Sequence, residues 1–268
     1  MQYKLIAVDM DGTLLNDNGE ITPKTQAAVK AAISRGVMFT VSTGRPIQGV
    51  DKYNGLLNLK APIITYNGAM IVRSDHKEVL FSKTMLCGDA MSIMEYGIKM
   101  GTTMCVWAHN KLYCNVHNER VDDYKKLSGV EPIVIEDYAA LAQSGITKIL
   151  WYDEPDVIAD VQNKLKDVAF ERVTYCTSKP IFLEFFNNEV SKAEAMKKIG
   201  ELYNIKREEM IAIGDGFNDL PMIEYAGLGV AMANAPEGVK RLSDYVTQKS
   251  NNCDGIAEVI DAFVLSAR

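Results

Sequence analysis

Short runs of apolar and β-branched residues, Leu5 to Val8, Val37 to Ser42 and Pro62 to Tyr66, punctuate the first 70 residues. Between them the apolar positions thin to helical spacing. Thr22 precedes Pro23 as N-cap and first helical residue, and the pattern continues through Val29 and Ile33 to a stop at Gly36. A second helix carries Val50, Leu56 and Leu57. Strand, helix, strand, helix, strand, with strands apolar throughout rather than at alternate positions, predicts a parallel sheet covered on both faces. Ligands of such sheets bind outside the carboxyl ends of the strands. Those ends here are Asp9, Thr43-Gly44-Arg45-Pro46 and Asn67-Gly68.

From about residue 83 the style changes. Strand-like segments at 103–107, 111–116, 131–135, 147–153, 172–177 and 181–186 are interleaved with helical stretches near 88–100 and 155–167. The tight connections Ala108-His109-Asn110 and Ser178-Lys179-Pro180 suggest hairpins, and hence an antiparallel or mixed sheet. Met85, Met91, Met94, Met100 and Met104 read as core filler. The parallel style then returns. Ser191 and Glu194 have capping-box spacing and open a helix through Met196, Ile199 and Tyr203; strands follow at 210–215, 228–232 and 245–247. Ile256, Val259, Ile260, Phe263 and Val264 give the last helix one apolar face. The expected organisation is α/β, with a parallel-sheet core from 1–82 and 187–268 and an inserted α/β domain at 83–186.

The 268 residues are 47% apolar and 24% charged, which suits a globular protein of two domains. A net charge of −6 argues against sequence-independent nucleic-acid binding. The N-terminal segment lacks the h-region of a secretory signal, and no apolar run reaches the ~18 residues that span a bilayer. Cys87, Cys105, Cys114, Cys176 and Cys253 show no zinc-site spacing and read as buried thiols of a reduced cytoplasm. His76, His109 and His117 lie in polar surroundings and are expected to be exposed.

The chemistry concentrates in acids. Asp9 and Asp11 are two apart, so on a strand that stays extended both carboxylates leave on one side, where their repulsion calls for a cation or a shared proton. The plainer reading of this stretch alone is a strand followed by a polar turn, with Asp11-Gly12 as turn chemistry and Thr13 as a local cap. A later strand repeats the arrangement in Gly214-Asp215-Gly216-Phe217-Asn218-Asp219. One parallel sheet would bring Asp9, Asp11, Asp215 and Asp219 to one edge, a set of hard oxygen ligands that suits Mg²⁺. Lys192 is a cation in a first helical turn, against the macrodipole, which either an anionic ligand or plain solvation would relieve. Thr43 and Gly44 offer neutral donors to phosphate oxygens, and no nucleotide-binding loop is present. Asp9 is then a candidate nucleophile, forming an aspartyl-phosphate. Asp11 would protonate the departing oxygen and later activate water, which requires it to hold a proton when substrate arrives.

Asp9-Met10-Asp11-Gly12-Thr13, Thr43-Gly44-Arg45-Pro46, Lys192 and Gly214-Asp215 with Asn218-Asp219 resemble, in order and spacing, the four motifs of the haloacid dehalogenase superfamily. Tyr66-Asn67-Gly68-Ala69 and the long insertion before Lys192 resemble its Cof-type branch, class IIB, and within it the YidA-like sugar phosphatases. The resemblance implies a Rossmann-like core with a C2-type cap. It implies that Asp9 is nucleophile and magnesium ligand, and that Asp11 is general acid/base with its main-chain carbonyl on the metal. Met10, through its N–H, Thr43, Gly44, Lys192 and Asn218 would bind phosphate, Asp215 would hold Mg²⁺, and Asp219 would support the metal's outer coordination sphere. Arg45 and Asn67 on the core, and Ser178, Lys179 and Glu184 on the cap, are candidates for substrate selection; for Lys179 and Glu184 the alternative is a solvated charge at a strand end. The expected partner is a small phosphorylated metabolite, not nucleic acid or a membrane, and the chain is expected to be a monomer or weak homo-oligomer. The expected activity is Mg²⁺-dependent hydrolysis of sugar phosphates. A phosphotransferase or mutase, and a non-enzymatic phosphate-metabolite sensor, are the alternatives.

Overall fold

The computed structural model describes residues 3–75, 78–166, 168 and 170–266, apart from the side chain of Ser178. Two compact units divide the chain: Met1–Phe81 with Ser191–Arg268, and Ser82–Val190. His76 lies outside the described residues.

The first unit opens with β1 (Leu5–Val8), α1 (Pro23–Ser34), β2 (Met38–Val41), α2 (Asp51–Leu57) and β3 (Ile63–Thr65). The Thr22 hydroxyl caps α1 by accepting from Thr25 N, and Pro23 fills the first helical position, where its missing N–H costs nothing. β3 does not continue the parallel sheet as a ladder. It touches the end of β2 through a single parallel bridge, Ser42 to Ile64, and pairs antiparallel with β4 (Met70–Val72); β5 (Val79–Ser82) completes this three-stranded sheet.

The second unit follows: α3 (Cys87–Met100), β6 (Thr103–Ala108), β7 (Lys111–Cys114), α4 (Glu119–Ser128), β8 (Pro132–Val134), α5 (Tyr138–Ser144), β9 (Ile146–Tyr152), α6 (Pro155–Leu165), β10 (Val173–Lys179) and β11 (Phe182–Asn187). Its six strands are ordered β10-β11-β9-β6-β7-β8, antiparallel except for the parallel pair β7–β8, so the sheet is mixed. His109 and Asn110 both take positive φ in the two-residue turn between β6 and β7, and His109 and His117 are exposed as expected. α4 and α5 have no counterpart in the apolar pattern. α4 buries only Val121, Tyr124 and Ser128 in a strongly charged segment, and α5 spans seven residues, so neither shows a sustained stripe. One face of the sheet packs Met104, Val106, Ile149, Trp151, Leu183 and Phe185 into a core with Met85, Ile93 and Met94, with Met91 and Met100 against it. The methionines do fill core space.

The opposite face holds a buried ion pair. Lys148 Nζ lies 3.2 Å from Glu184 Oε2, both side chains under a tenth exposed. Burial also pushes the thiols of Cys105 and Cys176 and the Tyr124 phenol up to about 12. Glu184 is therefore neither at a strand end nor solvated: it stands mid-way along β11, flanked by β10 and β9. Lys179, at the end of β10, is exposed with its ammonium 5.7 Å from the Phe182 ring centre. The expectation that all five cysteines are buried also fails. Cys105 and Cys114 are buried and Cys176 is partly so, whereas Cys87 and Cys253 are exposed; all five are free thiols.

The chain re-enters the first unit through α7 (Lys192–Tyr203), β12 (Met210–Gly214), α8 (Leu220–Tyr225), β13 (Leu228–Ala231), α9 (Glu237–Lys240), β14 (Tyr245–Val246) and α10 (Gly255–Ile260). The five-stranded sheet has the order β14-β13-β12-β1-β2, and every pair is parallel. α7 and α8 cover one face, where Ala195, Met196, Ile199 and Met222 meet Leu5, Ala7, Met210 and Ala212. α10 continues as a π-helical turn over Asp261–Leu265, so Phe263 leaves the predicted stripe and meets Tyr245 edge-on. From β1 the chain proceeds to β2 on one side and, after the insertion, to β12, β13 and β14 on the other. The crevice of such a sheet opens where the order reverses, at the carboxyl ends of β1 and β12. No helix among the described residues is long and apolar enough to cross a membrane.

Lys148→Met is expected to destabilise the second unit by about 3–5 kcal/mol, because Glu184 would be left buried without a cation. A double variant, Lys148→Met with Glu184→Leu, is expected to recover most of that loss. Thermal unfolding of the three proteins checks both, and a single variant as stable as its parent would refute the ion pair's role.

Candidate active site

β1 delivers Asp9 to the crevice, but the chain does not stay extended beyond it. Residues 10–14 turn, with Leu14 N donating to Asp9 O and Leu15 N to Met10 O. The two motif aspartates consequently part company. Asp9 is buried, whereas the Asp11 side chain is 60% exposed and faces Arg45. The premise that both carboxylates leave one side and share a cation is overturned: each has a cation of its own.

For Asp9 that cation is Lys192. Its side chain is wholly buried, with Nζ 2.5 Å from Asp9 Oδ1 and 2.5 Å from Asp219 Oδ1. Solvation as a surface lysine is thereby excluded, and the protein's own carboxylates offset the unfavourable helix end. Ser191 caps α7 by accepting from Glu194 N at 3.1 Å. The loop that brings Asn67 to the site closes against this same helix start: Gly68 has φ +104°, and a Cβ there would lie 2.6 Å from the Ser191 carbonyl carbon.

Asp219 anchors the loop after β12 as well. Its Oδ2 accepts from Asp215 N at 3.0 Å and Gly216 N at 2.8 Å. Asp215 in turn accepts from the Thr13 hydroxyl at 2.6 Å. Gly12, at φ +81°, leaves room for this contact, since a Cβ would sit 2.9 Å from the Asp215 carboxyl carbon. Asp9, Asp215 and Asp219 each offer an oxygen within 4.8 Å of the others. Thus three carboxylates cluster, and two of them, Asp9 and Asp219, hold the one ammonium.

The electrostatics follow from that imbalance. Burial works to lower the Lys192 ammonium, but Asp219 and Asp9 override it and hold the group above the usual lysine range. Burial, then Asp219, raises the Asp9 carboxyl well above its ordinary value. Burial likewise pushes Asp215 up to about 6, against the pull of the Thr13 hydrogen bond. Hard oxygen donors with excess negative charge fit a divalent cation such as Mg²⁺.

The remaining candidates ring this cluster or lie outside it. Thr43 is buried, its Oγ1 accepting from Arg45 N and its carbonyl from Asn67 N. Asn67 has φ 56° and accepts from Asn218 Nδ2 at 3.2 Å; a Cβ on Gly44 would lie 3.1 Å from its Oδ1. Met10 is fully buried in the turn. Lys179 and Glu184 belong to the second unit, and the Ser178 side chain lies outside the described residues. Two residues escaped the sequence reading in these roles. Thr13 was a local cap there, but it ties β1 to Asp215. Asn234 donates to Gly12 O at 2.8 Å from the loop after β13, and its place beyond a parallel strand's carboxyl end was the signal available.

A parallel sheet whose switch point gathers buried aspartates around a lysine from a helix start defines a phosphoryl-transfer class of hydrolase. The chain belongs to the haloacid dehalogenase-like hydrolases, whose family profile matches residues 6–260. Within that family it is a Cof-type phosphatase. It is 34% identical to YxeH of Bacillus subtilis (strain 168), over 98% of this chain and 99% of that protein. It is 33% identical to the 5-amino-6-(5-phospho-D-ribitylamino)uracil phosphatase YcsE of the same organism, over 99% and 97%. A haloacid dehalogenase-like hydrolase from Bacteroides thetaiotaomicron superposes with a TM-score of 0.87 at 28% identity, covering 97% of this chain and 99% of that one.

Lys192→Met is expected to cost about 3–5 kcal/mol of stability near neutral pH, since Asp9 and Asp219 lose their buried cation. A carboxyl whose folded-state pKa lies above its unfolded value penalises folding when ionised, and the penalty fades as pH falls through the folded value. The deficit should therefore shrink in acid as Asp9 takes up a proton. Urea unfolding of both proteins near neutrality and in mild acid reads this, and a pH-independent deficit would contradict it.

Proposed function

We propose that this phosphatase hydrolyses small phosphate monoesters, sugar phosphates foremost, with Mg²⁺ as cofactor and through an aspartyl-phosphate on Asp9. The observation that carries the reading is the cluster of Asp9, Asp215 and Asp219, two of whose members, Asp9 and Asp219, clasp the buried Lys192 ammonium. Lys192 occupies Asp9 Oδ1, which leaves Oδ2 as the attacking oxygen. As Oδ2 bonds to phosphorus the ester P–O bond breaks, and Asp11 gives its proton to the departing oxygen. Water then attacks the phosphorus of the acyl phosphate, losing a proton to Asp11, and inorganic phosphate and the Asp9 carboxylate are released. Lys192, the Met10 N–H, Thr43, Gly44 and Asn218 bind the phosphoryl oxygens throughout.

Asp9, Asp215 and the Asp11 carbonyl would hold Mg²⁺, with Asp219 supporting them from its hydrogen bonds to Asp215 N and Gly216 N. When bound, the metal would neutralise phosphate charge and orient the ester for in-line attack. Arg45 and Asn67 stand beside the motif residues as substrate contacts. The sugar-phosphate assignment is supported by YcsE, whose named substrate carries its phosphate on a ribityl chain. Five free thiols support a reducing, cytoplasmic setting.

Asp9→Asn and Asp11→Asn are each expected to lower turnover by at least about 10²-fold while leaving the thermal midpoint much nearer the parent's. Inorganic phosphate release from a panel of phosphate monoesters, with magnesium and after chelation, is the measurement. Near-parental turnover in either variant would refute the assigned role. Isomerised sugar phosphate without phosphate release would point to the mutase.

A further inference from the structure

In the free protein both oxygens of Asp11 are engaged away from the work assigned to it above. Arg45 Nε donates to its Oδ2 at 2.8 Å and Nη2 to its Oδ1 at 2.5 Å, so both carboxylate oxygens are engaged as acceptors in a two-pronged pair. While both accept from Arg45, neither is free to carry a proton to a leaving group. Nor does Asp11 join the group of carboxylates that Asp9, Asp215 and Asp219 form.

The guanidinium itself is well seated. It lies 6.0 Å from the centre of the Tyr53 ring, and Nη1 reaches Gly49 O at 3.4 Å. Gly49 leaves space for the stem, because a Cβ there would approach Arg45 Cβ and Cδ to 3.3 Å. Arg45 is thus a fixed fork, to which the exposed Asp11 side chain comes. The pair is 30% and 60% exposed on its two sides, and ion pairs of that exposure contribute little to stability and exchange readily. A planar fork of N–H groups binds phosphate oxygens as well as it binds a carboxylate. The two anions compete for one fork.

We propose that Arg45 is the positioning residue for Asp11: in the free enzyme it sequesters the carboxylate, and the phosphate group of an arriving monoester monoanion takes its place on the guanidinium, its P–OH proton passing to the freed Asp11 carboxylate, which then holds the proton it gives to the leaving oxygen. The proposal rests on the acid/base role given to Asp11 above. It makes Asp11 available only when the site holds a phosphate ester, and it requires the ester's phosphate to contact Arg45 Nε and Nη2.

Competition is read by binding rather than by turnover. Inorganic phosphate, with magnesium present, is titrated calorimetrically into wild type, Asp11→Asn, Arg45→Met and the double variant. Removing a negative charge tightens anion binding in any background, so the informative quantity is the difference between backgrounds. With Arg45 present, Asp11→Asn is expected to tighten phosphate binding about three- to fivefold more than it does in Arg45→Met, the value of an exposed ion pair. Equal gains in the two backgrounds would overturn the exchange while leaving the phosphatase reading intact. Absence of phosphate binding by wild type would overturn both. A second measurement does not depend on the Asp11 variant: the Arg45 Nε–H resonance, identified by its loss in Arg45→Met, is expected to shift when phosphate is added to the wild-type protein. A resonance that stays in place at saturating phosphate would overturn the proposal.

Discussion

A buried ammonium survives in a folded protein only where carboxylates meet it, and Lys192 has its two partners from opposite ends of the chain. Asp9 arrives on β1 and Asp219 follows β12, the two strands between which the sheet order reverses. Neither strand alone could hold the lysine, and the lysine could not be buried unless the 109-residue second unit returned the chain to the first. The clasp therefore joins topology to chemistry. Because Asp219 also binds the N–H groups of Asp215 and Gly216, the ammonium fixes the loop that carries the third carboxylate. Three clustered acids with one base then leave the negative charge that a divalent cation can balance.

Much of this was legible along the chain, for identifiable reasons. Unbroken apolar runs made β1, β2 and β12 visible, and parallel strands advertise a site at their carboxyl ends without further information. Lys192 was conspicuous because a cation opposes the helix dipole at that position. What the lysine binds was harder to see. An anionic ligand and an internal carboxylate satisfy the same electrostatic demand, and only the third dimension shows that Asp9 and Asp219 meet it first.

The misreadings share a cause. Period-two reasoning placed Asp9 and Asp11 on one side, but the rule holds only while the strand is extended, and β1 ends at Val8. Glu184 read as a substrate-selecting residue or else a strand-end charge because its partner cannot be seen from an apolar strand alone: Lys148 is 36 positions away on the neighbouring strand. α4 hid behind its charge, with too few apolar positions in ten residues to set a period. In each case a non-local contact decided what local pattern could not, and the clue in hindsight is a charged residue inside a segment that must be buried.

In the proposed mechanism, the separation of Asp9 from Asp11 is what would let one short motif perform two kinds of step. A nucleophile must be immobile and stripped of water, and Asp9 is buried against a fixed ammonium. A group that gives a proton to a leaving oxygen and later takes one from water must reach solvent and change partners, and Asp11 sits in the open on an exchangeable fork. Had the strand stayed extended, the two carboxylates would share one environment and one cation, and neither requirement could be met without defeating the other. The turn after Val8, held by the Leu14 and Leu15 amides and permitted by Gly12, is therefore the local structure on which the division of labour depends.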